Sequence, residues 1–172
     1  MRKAAMALAL AFGALTLACS TMTTAVDYDH TVNWSQFHTF QLAEGTKDPE
    51  TFTQKRIEDG ITQALTGKGW TVAASNPDVF VYSHVVLSSE KQWNAQSMGG
   101  FGYGRMGGGM ATATQTNIPI GTIIVDMVNP KTHEMIWRGT AQDQVSGTGA
   151  DKGQVQDAMT ALFKNFPPAP GQ

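Results

Sequence analysis

The stretch TIIVDMVNPKTHEMIWRGTAQ, residues 122–142, decides the fold of this chain of 172 residues. On both sides of its central segment, 129–133, apolar residues alternate with polar ones, and a period of two is typical of half-buried strands. The central segment contains an asparagine and a proline, which favour turns. The stretch therefore predicts an antiparallel hairpin whose strands are 122–128 and 135–142.

Further strands are predicted on the N-terminal side of this hairpin. Segments 37–42 and 79–87 carry the β-branched and aromatic residues that strands favour. Segment 70–73 is predicted to be a short strand or a lead-in. The turn signal Asn76-Pro77-Asp78 precedes the longest of the three.

The C-terminal helix gives the clearest helical signal. Its apolar residues keep the period of 3.6 without interruption and form one stripe, namely Val155, Ala158, Met159, Leu162, Phe163 and Phe166. Asp151 is suited to cap the N-terminus of this helix, and Pro167-Pro168 ends it.

An earlier helix is predicted to begin at Asp48-Pro49-Glu50, because proline is favoured in the first turn and a carboxylate stabilises the positive end of the helix dipole. Gly67 and Gly69 end this helix. Its buried face consists of Ile57, Ile61, Ala64 and Leu65. Its charged residues, Lys55, Arg56, Glu58 and Asp59, are interpreted as a solvated face without function.

The order strand, helix, strands, hairpin, helix predicts an α+β fold in which two helices pack on one face of a mainly antiparallel sheet. Residues 19–172 remain once the predicted signal peptide is removed, and a chain of about 150 residues can form one domain with a proper core and no disulfides. We expect a signal peptide at residues 1–18 and an anchor and lead-in segment at 19–35. A single domain should follow at 36–168, with a short tail at 169–172.

Segment 90–117 is predicted to be a long, flexible Gly- and Met-rich loop between two strands, because the glycine content of 97–117 disfavours regular structure. Three interpretations of this loop stay open, and the simplest is a flexible connection. A contact arm for a partner or glycan would use the aromatic residues Trp93, Phe101 and Tyr103. A soft-metal site would use the thioethers Met98, Met106 and Met110, but no histidine accompanies them.

The N-terminus has the pattern of an export signal that ends in a lipid attachment site. Met1-Arg2-Lys3 is basic, and residues 4–18 are uncharged and shorter than the roughly 20 residues that span a bilayer. Leu15-Thr16-Leu17-Ala18-Cys19 resembles the lipobox of bacterial lipoproteins. Cys19, the only cysteine, is therefore predicted to be acylated, which removes a lone thiol from an oxidising compartment.

A competing interpretation is an ordinary secretory signal cleaved later, for example after Ala25, which would leave a secreted or periplasmic soluble protein. If Cys19 is acylated, membrane lipid is a partner, because more than one acyl chain makes anchoring stable. Ser20 follows at the position where an inner-membrane retention signal would place aspartate. In a Gram-negative cell this favours the outer membrane, with the domain on its periplasmic face.

The charge of the chain argues against a nucleic-acid partner. The formal net charge is −2, and it becomes more negative when Arg2 and Lys3 are removed with the signal peptide. A nucleic-acid interface would call for clustered Lys and Arg on one face.

Catalytic and metal-binding motifs are missing from the sequence. The histidines His30, His38, His84 and His133 are scattered, without the spacing of metal ligands. No nucleophile elbow, zinc-protease helix motif or calcium loop occurs. The sequence predicts no catalytic residue, no metal and no cofactor.

Two sets of charged residues could still bear on catalysis. Asp27 and Asp29 are interpreted as solvated carboxylates. Asp126 and Arg138 fall on facing strands of the hairpin, where we expect a structural cross-strand pair. An enzyme would have to gather these two residues with His84 in a concave pocket.

Several short motifs occur in order along the chain: Val26-Asp27-Tyr28-Asp29, Trp34-Ser35-Gln36-Phe37-His38-Thr39-Phe40, Gly67-Lys68-Gly69-Trp70, Asn76-Pro77-Asp78-Val79, Gly121-Thr122-Ile123-Ile124-Val125-Asp126 and Ile136-Trp137-Arg138-Gly139. In order and spacing they resemble the bacterial lipoprotein family known as domain of unknown function 4136. The resemblance covers nearly all of the chain after the signal peptide, except the Gly- and Met-rich segment. It implies no catalytic residues, because the function of the family is unknown.

The sequence thus predicts an envelope lipoprotein without catalytic activity, which binds an envelope protein, peptidoglycan or lipid through its sheet or its loop. The alternative is a small envelope hydrolase whose site carries no recognisable motif.

Overall fold

The structure, a computed structural model, describes residues 22–43, 51–97, 111–146 and 149–168. Within these ranges the elements are β1 (Thr23–Tyr28), β2 (Thr39–Leu42), α1 (Thr51–Gly67), β3 (Thr71–Val72), β4 (Val79–Ser97), β5 (Ala111–Val128), β6 (Met135–Gln144) and α2 (Lys152–Leu162). A short 3₁₀ helix, Trp34–Gln36, precedes β2. The strands form one sheet in the order β1-β6-β5-β4-β2-β3, so the predicted α+β class is confirmed.

The sheet is mixed, and the prediction of a mainly antiparallel sheet is wrong. Strands β1, β6, β5 and β4 pair antiparallel, but β2 pairs parallel with both β3 and β4. The cause is α1, which carries the chain from β2 back to β3, and a helical crossover joins parallel strands. The first helix is therefore part of a crossover unit, in addition to forming a layer on the sheet.

The predicted hairpin is confirmed as β5 and β6, with Asp126 opposite Arg138 and Met127 opposite Trp137. Its turn is closed by backbone hydrogen bonds from Asn129 N to Glu134 O at 2.9 Å and from His133 N to Asn129 O at 2.8 Å. Both strands are longer than predicted.

The predicted loop 90–117 is wrong at both ends. Strands β4 and β5 continue into it and pair in register from Glu90 opposite Ile118 to Ser97 opposite Ala111. Residues 90–94 and 113–117 are exposed, so neither face of these strands shows the apolar alternation that identifies a half-buried strand. The glycine-rich remainder, 98–110, lies outside the described residues.

Strand β1 was not predicted, because it lies in the segment 19–35 that the sequence analysis assigns to an anchor and lead-in. Its residues are exposed except for the half-buried Tyr28, and it pairs along its length with β6. An exposed edge strand gives a weak sequence signal, because little of it packs against a core.

The second helix begins where the sequence predicts. Asp151 accepts a hydrogen bond from Gln154 N at 2.9 Å, and the Gln154 side chain accepts one from Asp151 N at 3.1 Å, which forms a capping box. The helix ends at Leu162 rather than at Phe166, and the chain continues as a turn. For α1, the predicted end near Gly67 is confirmed, whereas the predicted start at 48–50 lies outside the described residues.

The core lies between the two helices and one face of the sheet. Strand side chains alternate between faces, and those of Val81, Val125, Met127 and Trp137 join both helices in one buried cluster. An aromatic group completes this cluster, with Trp137 stacked on Phe163 at a ring distance of 5.3 Å. Trp137 fills the core, where it is 2% exposed.

The other aromatic residues of the family motifs lie near the same place. The Phe166 ring packs against the rings of Trp34, Trp70 and Trp137 at 5.3 to 5.8 Å. These contacts join the segment after α2 to the entry of β2 and to the end of α1. The described residues therefore pack as one domain around a single core.

Candidate functional site

The predicted lipid attachment residue, Cys19, lies outside the described residues, which begin at Met22. No helix within the described ranges is long and apolar enough to cross a bilayer. The candidate sites within the described residues therefore lie on the surfaces of the folded domain.

One candidate is a charged row on the face of the sheet opposite the helices. In the strand register, Tyr82, Asp126, Arg138 and Asp27 lie side by side on four neighbouring strands. Arg138 donates to both carboxylate oxygens of Asp126, at 2.6 and 2.7 Å. This pairing raises the pKa of Arg138, first through the hydrogen bond and then through the charge of Asp126. The predicted cross-strand pair is thus confirmed.

His84 is the third residue that an enzyme site would need. Its Nε2 lies 3.8 Å from Oδ2 of Asp126, which is an ion-pair distance for a protonated ring and is longer than a hydrogen bond. Both Asp126 oxygens accept hydrogen bonds from Arg138, so this carboxylate is engaged in the cross-strand pair. The structure thus places Asp126 and Arg138 side by side in this row, and His84 two residues further along β4, opposite Ile124.

The remaining predicted candidates are dispersed. His133 is in the β5–β6 turn, the ring of His30 lies 4.4 Å from that of Tyr28, and the His38 backbone N–H donates to Asp78. Asp29 accepts hydrogen bonds from the hydroxyl and backbone N–H of Thr31, which lower the pKa of its carboxyl. Within the described ranges, no group of three or more His, Cys, Asp or Glu residues could hold a metal ion.

Arg138 also lines a shallow pocket of about 340 Å³ with Asp27, Tyr28, Asp29 and Trp137 among others. His84 and Asp126 do not line it. The pocket therefore combines one cation with two carboxylates, Asp27 and Asp29, that sequence analysis interprets as solvated.

A second candidate is a groove of about 440 Å³ between the two helices, which we call the interhelical groove. Two hydrogen bonds join the corresponding ends of α1 and α2. Arg56 Nη1 of α1 donates to O of Ala150, just before α2, at 3.1 Å, and Lys68 Nζ, just after α1, donates to O of Lys164, just after α2, at 3.2 Å. Because one bond lies near the start of both helices and the other near their ends, the helices run parallel.

Four cations of the described residues surround the interhelical groove: Arg56, Lys68, Lys152 and Lys164. The chain has twelve Lys and Arg in all, so a third of them line this one feature of an acidic protein. The single carboxylate in this lining, as far as the chain is described, is Asp59, which already pairs with Lys55 at 3.3 Å. The groove is thus electrostatically suited to an anionic ligand.

The floor of the interhelical groove is apolar and closely packed. It contains Val155, Met159 and Phe163, each at most 3% exposed. Gly60 lets the helices approach, because a Cβ there would lie 2.8 Å from Cγ of Met159. Helix α2, from Lys152 to Leu162, is about 15 Å long at 1.5 Å per residue, and Lys164 follows in the turn after it. An elongated ligand could therefore contact cations at both ends of the groove.

Sequence reasoning did not find this groove, since it interprets the charges of α1 as a solvated face. Lys55 and Asp59 are indeed exposed, at 73% and 68% of their side chains. The available signal was the pair of small residues Gly60 and Ala64, four positions apart on α1, which allows a second helix to approach closely.

Comparison with known proteins places the chain in a family and in a fold. The model of the family described as Domain of unknown function (DUF4136) matches residues 24–168. No curated protein matches the sequence. A crystal structure of a PDZ domain protein from Parabacteroides distasonis ATCC 8503 is similar, with a TM-score of 0.55 and 16% identity. The match covers 86% of this chain and 35% of that one, so this chain spans about a third of its length.

Two other solved structures are similar at lower scores. One is the PelC dodecamer from Paraburkholderia phytofirmans, with a TM-score of 0.46, 12% identity, and coverage of 88% of this chain and 99% of that one. The other is a putative neuraminyllactose-binding hemagglutinin homolog from Helicobacter pylori, with a TM-score of 0.40, 12% identity, and coverage of 76% and 83%. At these identities the likeness concerns the fold alone.

Proposed function

The chain belongs to the family of the Domain of unknown function DUF4136, and from this premise we propose that it is a lipid-anchored, non-catalytic binding module of the bacterial envelope. Acylated Cys19 holds it on the periplasmic face of the outer membrane. The interhelical groove binds an acidic segment of a partner envelope protein.

The observation that carries this proposal is the set of four cations around an apolar floor in the interhelical groove. In an acidic chain, such a concentration of positive charge raises the local concentration of an anionic partner and speeds its association. Together with half-buried Ala64, the floor offers a narrow apolar contact along the middle of the groove, and the cations select for acidic residues at its ends. A protein segment with an apolar centre and acidic ends matches both features.

The non-catalytic part of the proposal is supported by the row on the open face of the sheet. Asp126 is held by Arg138 through both of its oxygens, and His84 lies beyond hydrogen-bonding distance from it. A hydrolase at this place would need a polarised nucleophile or an activated water next to a free base. The groove lacks such a group as well, since among the described residues its lining contains one carboxylate and no histidine or cysteine.

The groove is tested with a synthetic probe, a fluorescent 12-residue peptide with leucines at its centre and glutamates at both ends. Fluorescence anisotropy should show binding that weakens as salt rises, because the exposed cations are screened. A peptide with lysines in place of the glutamates should not bind. The double variant Lys152→Glu and Lys164→Glu should lose binding to the glutamate peptide.

The matched control is the double variant Lys91→Glu and Lys131→Glu, which makes the same charge change at exposed residues outside the groove. It should bind the glutamate peptide like the wild type. If both double variants bind the peptide equally well, or if the wild type does not bind it, the groove is not the binding site.

A further inference from the structure

The part of the sheet formed by residues 90–97 and 111–118, here called the β4–β5 ribbon, projects beyond the region in which β1, β6, β5 and β4 lie side by side. Strand β6 pairs with β5 only as far as Gln144 opposite Ile120, and the last backbone bond is from Val145 N to Pro119 O at 3.0 Å. Past this point, within the described ranges, β4 and β5 pair only with each other. At about 3.3 Å per residue the ribbon is about 23 Å long.

The ribbon leaves the domain at the same edge as the N-terminal segment. Met22 lines a small apolar cavity together with Leu87 and Gly121, at the base of the ribbon. Strand β4 runs towards the ribbon, and β5, β6 and β1 are each antiparallel to the neighbour before them in this order. Strand β1 therefore starts near this base, at Thr23, and runs away from it. The described chain therefore begins at the edge from which the ribbon projects.

The length of this N-terminal segment limits where a membrane can lie. Cys19 is three residues before Met22, so an extended chain places it at most about 11 Å from the base of the ribbon. On the other side of that base lies the body of the sheet. Along β5 it extends from Thr122 to Val128, which is about 20 Å. If the ribbon pointed away from the bilayer, this body would lie between the base and the lipid, and the segment would be too short to reach it.

From this geometry we propose that the β4–β5 ribbon is a membrane-contact element that lies against the lipid surface in which the chain is anchored. The inference rests on the proposed acylation of Cys19. The partner is the phospholipid bilayer itself, at the level of its headgroups.

The composition of the ribbon fits a lipid headgroup layer. Its ionisable side chains are Glu90 and Lys91, of opposite charge, and the others are mainly hydroxyl and amide groups that can hydrogen-bond to headgroups. Trp93 is 66% exposed, and tryptophan is enriched at membrane interfaces because its ring is apolar and its N–H is polar. A two-stranded ribbon alone in water is marginally stable, so contact with a surface would also stabilise it.

The test uses the acylated full-length protein in phospholipid vesicles that carry a nitroxide on the lipid headgroup. Because Cys19 is the only cysteine and its sulfur is then a thioether, an introduced cysteine is the only thiol. A fluorophore is attached at Gln115→Cys, opposite Trp93 on the ribbon. The matched control is Lys131→Cys, an exposed residue of the turn at the opposite end of the sheet.

The expected result is loss of emission at the Gln115 label and unchanged emission at the Lys131 label. If the protein floats with the vesicles and carries its acyl chains, but neither label is quenched or both are quenched equally, the ribbon inference is overturned and the anchor stands. Quenching between labels on two copies, removed by dilution with unlabelled protein, would identify a second copy as the contact and also overturn it. A protein that carries no lipid and does not float would overturn the anchor and the ribbon inference together.

Discussion

Arg138 on β6 donates two hydrogen bonds to Asp126 on β5, at 2.6 and 2.7 Å, and the residue that accepts them is 6% exposed. The carboxylate is thus satisfied by one guanidinium on an adjacent strand. A bidentate pair of this kind fixes the register of the two strands at this position.

Replacement of Arg138 by alanine should lower the free energy of unfolding by about 1–3 kcal/mol, because it leaves a buried carboxylate without its partner. Urea denaturation followed by tryptophan fluorescence measures this change. The double variant Arg138→Ala and Asp126→Asn should show a smaller decrease in the free energy of unfolding, because the unpaired charge is removed. Wild-type stability in Arg138→Ala would show that the pair does not stabilise the hairpin.

Asp78 connects the start of β4 to the start of β2. Its carboxylate accepts hydrogen bonds from His38 N and Thr39 N at 3.0 Å and from Thr39 Oγ1 at 2.8 Å. The bond from the His38 amide contributes most to lowering the pKa of Asp78 from its ordinary value of 3.8.

Because the folded-state pKa of Asp78 is lowered, its contribution to stability is present above the ordinary value of 3.8 and is lost as the pH falls through the lower folded value. Replacement of Asp78 by asparagine should lower the free energy of unfolding by about 1–2 kcal/mol at neutral pH. It should also reduce the loss of stability below about pH 4. Urea denaturation at several pH values measures both effects. Asp157→Asn, at an exposed position of α2, is the control. If the stability of Asp78→Asn and of the wild type depended on pH in the same way, Asp78 would not be a source of the acid sensitivity.

Gly139 lies under the ring of Trp137. A Cβ at this position would come within 2.5 Å of the ring, which is buried and cannot move aside. Gly139→Ala should therefore destabilise the domain by about 1–3 kcal/mol. Gly67→Ala is the control, because no atom of the described residues lies within 4 Å of the place that its methyl group would take, and alanine is favoured over glycine in a helix. Thermal unfolding should show a lower Tm for the first variant only, and equal Tm values would contradict this packing.

Asp151 caps α2 through its hydrogen bond from Gln154 N at 2.9 Å. Asp151→Ala should lower the free energy of unfolding by about 1 kcal/mol, the usual cost of losing an N-cap side chain. Asp157→Ala, in the same helix but outside the cap, should have a smaller effect. If the two variants unfold at the same urea concentration, the capping box contributes nothing measurable.

The elements that the sequence predicts well are those whose side chains divide between core and solvent. The stripe from Val155 to Phe163 and the alternation on both sides of Asn129 identify α2 and the β5–β6 hairpin because one face of each packs in the core. The cross-strand position of Asp126 and Arg138 follows from the same alternation. Local periodicity was sufficient in these cases.

The features that the sequence did not predict depend on tertiary arrangement. The exposed ribbon residues around Trp93 have no buried face, so their pattern resembles that of a loop. The parallel pairing of β2 depends on where α1 returns the chain. The interhelical groove depends on two helices that are almost 100 residues apart in sequence, as Arg56 and Ala150 are. The small residues Gly60 and Ala64 indicate a close approach to α1, but no local pattern shows which element makes it.

The measurement that tests the central claim most directly is the intact mass of the full-length protein purified from a membrane fraction, compared with that of Cys19→Ser. The account predicts a chain that begins at Cys19 and carries acyl chains, with the lipid mass and the membrane association both lost in the variant. An unmodified chain that begins after Cys19 would contradict it, because the protein would then be exported without an anchor.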